Sequence, residues 1–248
     1  MDQPRGIPKA EFLASVRRAL GTGAGSAAPP SPPDALDLLA RLEAQAQETW
    51  QRIAGNLELL TSRFLETAGL RGWKVHRAAG SEDALDYIAS LSASLGAGSV
   101  VRSDQEALRE LPLDPALHRL GVAVTSIVRD EGHSREALRA KIAGAGLGIT
   151  GADYAVAETG SVVVIPRRGL SRLVSLVPPV HLAVVRPRDL VETLDDVFLL
   201  RRLEYYRNGG DMGSYLNFIT GPSRTADIEQ TLVVGVHGPR EVHLLFLE

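Results

Sequence analysis

Residues 72–104 read GWKVHRAAGSEDALDYIASLSASLGAGSVVRSD, and the hydrophobic period changes twice within them. WKVHRA alternates as a strand does, SEDALDYIASLSASLG repeats as a helix does, and SVVRSD returns to strand. Ser81, followed by Glu82 and Asp83, offers a helix cap with acidic residues in the first turn, where the positive end of the helix dipole favours them. The same rhythm runs on through helical stretches around residues 105–119, the strand GVAVTSIV and the helix SREALRAKIAG. Strands alternating with helices predict an α/β fold with a largely parallel sheet flanked by helices.

Further along, the rhythm differs. GADYAVAETGSVVVI contains two strand-like runs joined at Thr159-Gly160, a hairpin signal, so the predicted sheet is mixed. RLVSLV, VHLAVV, SYLNFI and TLVVGV read as strands, with one helix over 195–208, and EVHLLFLE closes the chain as a last strand. Upstream of the opening stretch, residues 34–70 carry one long helical pattern. Leu39, Ala46, Ile53 and Leu60 share one heptad position, Trp50, Leu57 and Phe64 the other, and Glu43 breaks the first heptad. Such a seam is compatible with packing along its own domain and with a homodimer. Residues 8–20 form a short amphipathic helix, and GTGAGSAAPPSPPD after it is a linker. Its Gly21, Gly23 and Gly25 follow no strand and precede prolines, which excludes a dinucleotide-binding loop. The expected organisation is therefore an arm and linker over 1–33 and one domain over 34–248, comprising the long helix 34–70 and an α/β core 71–248.

Composition removes several classes of function. At 248 residues and a formal net charge of -3, the chain gives no reason to expect nucleic acid as a partner. No run approaches the ~18 apolar residues of a membrane span, and the N-terminus has no apolar signal core, so the expected location is cytoplasmic. With no cysteine there is no disulfide, thiol nucleophile or thiolate ligand, and any iron–sulfur cluster must sit in a partner. The only lysines are Lys9, Lys74 and Lys141, which excludes a Schiff-base or phosphate-loop lysine in the C-terminal hundred residues. The six histidines show no close metal-ligand pairing, and no metal is expected.

Three segments could carry chemistry. In ITGPSRTADIEQ a strand ending at Ile219 delivers Thr220 and Gly221, then the hydroxyls of Ser223 and Thr225 and the Arg224 fork, with Asp227 and Glu229 beyond. Free amides where a helical turn starts would cradle an anion; equally, Ser223 or Thr225 would cap a short helix. In VVGVHGPREVH, Gly235 and Gly238 bracket His237, and Arg240 follows Pro239. That places an imidazole and a guanidinium at a strand end, and in open α/β sheets ligands collect at carboxyl ends. A tight turn before an antiparallel last strand accounts for the same residues. In GADYAVAETGS, Glu158 falls at the hairpin tip, either as a surface residue or as a base or nucleophile. His181, at a strand start in LVPPVHLAVV, reads as a structural histidine.

Taken in order, GITGADYAVAETGSVV, RLVSLVPPVHLAVV, YLNFITGPSRTADIE and VVGVHGPREVH closely resemble the LUD (lactate utilization) domain family, over roughly Asp34 to the C-terminus. The resemblance implies a fold of the NagB/RpiA/CoA-transferase type. It implies participation in oxidation of L-lactate to pyruvate, in a complex whose partner subunits carry the iron–sulfur clusters. This chain would be the non-redox subunit, with no cofactor of its own. By fold analogy alone, AETGS resembles the glutamate-glycine turn of CoA transferases, which would make Glu158 catalytic. The expected anion site is then Thr220, Gly221, Ser223, Arg224 and Thr225, with His237, Gly238 and Arg240 on the opposite wall, binding a small organic acid. The alternative is a self-sufficient enzyme of the same fold acting on a phosphorylated or CoA-linked metabolite.

Overall fold

The computed structural model describes residues 9–19, 35–128, 134–166, 172–210, 215–226 and 232–248. The chain divides into two compact units, Met1–Arg41 and Leu42–Glu248. In the first, α1 (Lys9–Ala19) leaves Phe12 and Leu13 exposed. The expected linker and the expected boundary after residue 33 lie outside the described residues.

The helix expected over 34–70 is two helices, α2 (Ala35–Gly55) and α3 (Leu57–Arg71). Gly and Asn are weak helix formers, and Asn competes for backbone partners. At the break, Asn56 turns its side-chain amide onto the Arg52 carbonyl (2.9 Å) and its own N–H bonds Ile53 three residues back. Ala46, Ile53, Leu60 and Phe64 are buried within the second unit, whereas Trp50 stays 39% exposed. α3 stops at Gly72, whose φ of 96° lets the N–H groups of Gly72 and Trp73 bond the carbonyls of Gly69 and Ala68.

The chain continues through β1 (Lys74–Ala78), α4 (Ser81–Ser94), β2 (Ser99–Arg102), α5 (Glu106–Arg109), α6 (Leu113–Arg119), β3 (Ala123–Ser126), α7 (Arg135–Ala143) and β4 (Leu147–Gly151). Next come β5 (Tyr154–Val156), β6 (Ser161–Val164), α8 (Arg172–Leu176), β7 (Val180–Val185), a short 3-10 turn at Pro187–Asp189, β8 (Leu190–Val191) and α9 (Leu194–Arg207). The last elements are β9 (Asn217–Ile219), β10 (Arg224–Ala226), β11 (Leu232–Val234) and β12 (Glu241–Leu247).

Six strands form one sheet in the order β1-β12-β7-β4-β2-β3, and every pairing in it is parallel. The antiparallel pairings sit apart, in a four-stranded sheet β8-β5-β6-β9 and a ribbon β10-β11. The molecule is thus mixed but largely parallel, with its hairpin outside the main sheet. Burial on both faces explains why β7 and β12 read as near-continuous apolar runs. One face carries a cluster that includes Ile88, Leu108, Leu117, Leu147 and Leu182; the other packs Val101 with Ile142 and Val174.

Three local expectations are corrected, and one strand is found that the local period did not announce. RLVSLV forms α8, not a strand. β4, at LGITG, joins the centre of the sheet although two glycines weaken its pattern. The last strand runs parallel, between β1 and β7, not antiparallel. Ser81 is the first residue of α4 and not its cap; Asp83 instead reaches back to accept from the Ala79 N–H at 3.1 Å. Among the described residues no helix is long and apolar enough to cross a membrane.

Candidate functional site

Ser223 joins the two glycine–proline loops. Its N–H donates to the Pro239 carbonyl (3.0 Å), its own carbonyl accepts from the Gly235 N–H (2.9 Å), and its Oγ accepts from the His237 N–H (3.3 Å). Gly238 lies so close that an added Cβ would stand 3.4 Å from the Ser223 Cβ. Gly235 takes φ 86°, and a Cβ there would meet the Arg240 Cβ at 2.8 Å. The Arg240 N–H in turn holds the Pro179 carbonyl at 3.1 Å. The loops expected to face one another are therefore stitched together, using most of the polar groups of Ser223.

On its other side the first loop rests on the C-terminus of α3. A Cβ on Gly221 (φ 102°) would fall 2.3 Å from the Arg71 carbonyl oxygen, and one on Gly72 would fall 2.6 Å from Arg224 Nη2. Arg224 Nη2 donates to that Arg71 carbonyl at 3.4 Å, a long contact that suits the negative end of the helix dipole. A guanidinium has five donors, so most of the fork stays available. Thr220 Oγ1 pairs with Ser161 Oγ at 2.7 Å, and Thr159 Oγ1 donates to the same Ser161 oxygen at 2.8 Å. Ser161, Thr159, Arg71 and Gly72 were not candidates from the sequence; the one available signal was that Thr159 and Ser161 flank the hairpin glycine.

Among the described residues no helical turn begins after Gly221. Arg224 and Thr225 are extended in β10, opposite Val234 and Val233, so neither the helix-start cradle nor the cap forms. Asp227 and Glu229 lie outside the described residues. The cluster also sits at the amino ends of β1, β7 and β12, beside Gly72, Pro179 and Arg240, and not at carboxyl ends as expected. At the carboxyl edge, Gln105 accepts from Ser103 and donates to Asp153, and Arg102 holds Asp114 with two bonds of 2.6 and 2.9 Å. That contact raises the Arg102 pKa and holds the Asp114 carboxyl below its ordinary range.

Three arginines lie on the segments that meet at the amino edge. Arg71, Arg224 and Arg240 make no ion pair among the described residues, as is also true of Arg63, Arg109, Arg139 and Arg202 elsewhere, while Arg52, Arg102, Arg186 and Arg207 are held by carboxylates. His237 is exposed beside them. Guanidinium groups are suited to a carboxylate or phosphate, and here the Arg224 fork touches the Arg71 carbonyl while the Arg240 main chain is held by Pro179.

Glu158 belongs to another neighbourhood. Its N–H bonds the Glu192 carbonyl, and its exposed carboxylate accepts from the Leu194 N–H (3.2 Å) at the start of α9. There it complements the N-terminal dipole, next to the reciprocal cap of Thr193 and Asp196. Glu158→Gln is accordingly expected to lower stability by about 0.5–1 kcal/mol, read from urea midpoints, and to leave anion affinity unchanged.

His181 is wholly buried; its Nε2 meets Thr150 Oγ1 at 2.9 Å and its Nδ1 has no partner among the described residues. Burial, with the nearby His243, pushes its pKa down to about 3, which keeps the ring neutral. An open groove of about 640 Å³ runs between α2 and α9, lined by Ala46, Gln47, Trp50, Ala54, Leu203 and Arg207, and it contains none of the candidate residues. Among the described residues no group of three or more His, Asp or Glu side chains could hold a metal ion.

The sequence model of the LUD domain matches residues 61–247. Lactate utilization protein C of Halalkalibacterium halodurans is 45% identical over 105 residues, covering 42% of this chain and 45% of that protein. The protein of the same name from Anoxybacillus flavithermus is 33% identical over 159 residues, 64% of this chain and 67% of its own length. Lactate utilization protein B of A. flavithermus is 25% identical over 252 residues, covering 83% of this chain and 52% of that protein. The matches to these and several further lactate utilization proteins cover between 39% and 69% of those relatives' own lengths. A crystal structure of a DUF162 family protein from Deinococcus radiodurans superposes with a TM-score of 0.54 at 22% identity, covering 77% of this chain and 98% of the other, a likeness of fold.

Proposed function

The chain belongs to the LUD domain family, and from that membership we propose that it acts in lactate utilization, as the non-redox subunit of an assembly that oxidises L-lactate to pyruvate. Relatives named lactate utilization protein B and protein C both align with it, which supports a place in such a system. Its lack of cysteine supports the division of labour, with iron–sulfur clusters held by partner subunits.

Within that assembly the chain binds a small organic anion at the amino-edge cluster. The observation that carries this is the set of Arg71, Arg224 and Arg240, which make no ion pair among the described residues, around the loops that Ser223 joins. Arg224 and Arg240 supply the guanidinium contacts, His237 an imidazole, and Thr220, Gly221, Thr225 and Gly238 the wall. A charge-assisted contact of about 2 kcal/mol makes Arg224→Ala weaken binding by at least about tenfold. Titration calorimetry of the wild type, Arg224→Ala and Arg224→Lys with L-lactate, pyruvate and inorganic phosphate measures this. Equal affinity in all three proteins for every anion tested rejects the site. The isolated chain is expected not to reduce a dye acceptor with L-lactate; turnover by the chain alone would favour a self-sufficient enzyme instead.

A further inference from the structure

On the face of the sheet covered by α4, six polar side chains form one continuous chain of contacts. The His76 ring of β1 stacks on the Tyr87 ring of α4 with centroids 4.2 Å apart and planes 10° from parallel. Tyr87 Oη lies 2.7 Å from His243 Nδ1 on β12, and His243 Nε2 lies 2.7 Å from Glu241 Oε1. Lys74 Nζ reaches that same carboxylate oxygen at 2.6 Å, and His76 Nε2 meets Asp83 Oδ1 at 3.0 Å.

The chemistry fixes the direction of these bonds. An ionised Glu241 only accepts, so His243 carries its proton on Nε2 and leaves a lone pair on Nδ1. Tyr87 must then donate. A second proton on His243 removes that acceptor: the bond donated by Tyr87 is lost, and a contact survives only if the phenol turns its hydrogen away and Oη accepts from Nδ1–H.

We propose that Tyr87, His243 and Glu241 are an acid-sensitive clasp that holds α4 on β1 and β12 at neutral pH and releases it in mild acid. The charged and titratable groups facing His243 are Tyr87 and, through the stacked pair, Asp83 on α4; Lys74 and His76 on β1; and Glu241 on its own strand, while His181 on β7 interacts with it from the opposite face of the sheet. Burial holds the His243 pKa below its ordinary value, and Lys74 adds to this, against the raising effect of Glu241. A histidine lowered in the closed state stabilises closure above about pH 6.5 and loses that contribution as pH falls below it.

Hydrogen exchange of the α4 amides at pH 7.5 and 5.5, corrected for intrinsic rates, tests the clasp. Opening of residues 81–94 should increase several-fold, up to about tenfold per pH unit, while α7 on the opposite face changes less. Tyr87→Phe should already open more at pH 7.5, and His243→Gln, which keeps a donor and an acceptor but does not titrate, should lose the part of the α4 response that exceeds that of α7. Equal α4 protection at both pH values, or the same acid response in His243→Gln, overturns the proposal. Ring-nitrogen NMR of the wild type is independent of either variant: the Nε2–H tautomer of His243 is expected at pH 7.5, and the Nδ1–H tautomer contradicts the clasp.

Discussion

Gly148→Ala is expected to destabilise the protein by about 3 kcal/mol or to prevent its folding, the largest effect of any single methyl group here. Gly148 is buried in β4 between β2 and β7, opposite Val101 and His181. A Cβ at that position would stand 2.0 Å from the Val174 carbonyl oxygen of α8 and 3.0 Å from Pro178 Cγ. The first contact is backbone, so it is relieved only by moving α8 away from the sheet, which opens the packing of Val174 against Ile142 and Val101. Gly98→Ala is the control, since nothing lies within 4 Å of its added Cβ. Urea denaturation should show a change of about 0.5 kcal/mol or less for that variant. A Gly148→Ala protein within about 1 kcal/mol of wild type would contradict the close approach of α8 and β4.

Stability should also fall by roughly 2 kcal/mol between pH 6.5 and pH 5 through His181 alone. Its pKa is lowered by burial to about 3 in the folded chain, below the ordinary histidine value it regains on unfolding. The contribution is therefore fully present above the unfolded pKa, near 6.5, and is lost as pH falls from there toward the folded value. His243, lowered in the same direction, adds to the slope. Asp83, Asp114 and Glu241 are held below their ordinary carboxylate values, so their contributions disappear only in stronger acid. Urea midpoints of wild type and His181→Gln at pH 7.5 and 5.0 separate the two groups. The variant should lose most of the difference, and a wild-type midpoint that does not move would refute the account of His181.

Particular elements show how far the amino-acid sequence discloses the fold. β1, α4, β2 and α7 follow from local period alone, and β7 and β12 from their apolar runs. β4 does not, because its glycines serve a tertiary close approach that no local pattern announces. α8 misleads for the opposite reason: five residues rich in Leu and Val fit either period, and packing onto β4 decides. The parallel course of β12 depends on where the chain crosses the sheet, which its own residues do not encode. At the candidate site the two glycine–proline loops are legible as a pair. Arg71, Gly72 and Ser161 arrive from distant parts of the chain and become neighbours only through the fold. Glu158, singled out by analogy with another family's turn, lies at the start of α9, where its carboxylate accepts from the Leu194 N–H.

The central claim is that this chain is a subunit whose redox centres lie elsewhere. The most direct measurement is to tag it in its native host grown on lactate, purify it without oxygen, and identify by mass spectrometry and iron analysis what accompanies it. Co-purification of cysteine-rich iron–sulfur proteins in fixed proportion, with lactate-dependent dye reduction by the assembly, is the predicted result. Recovery of the chain alone, at high yield under mild conditions, would contradict it.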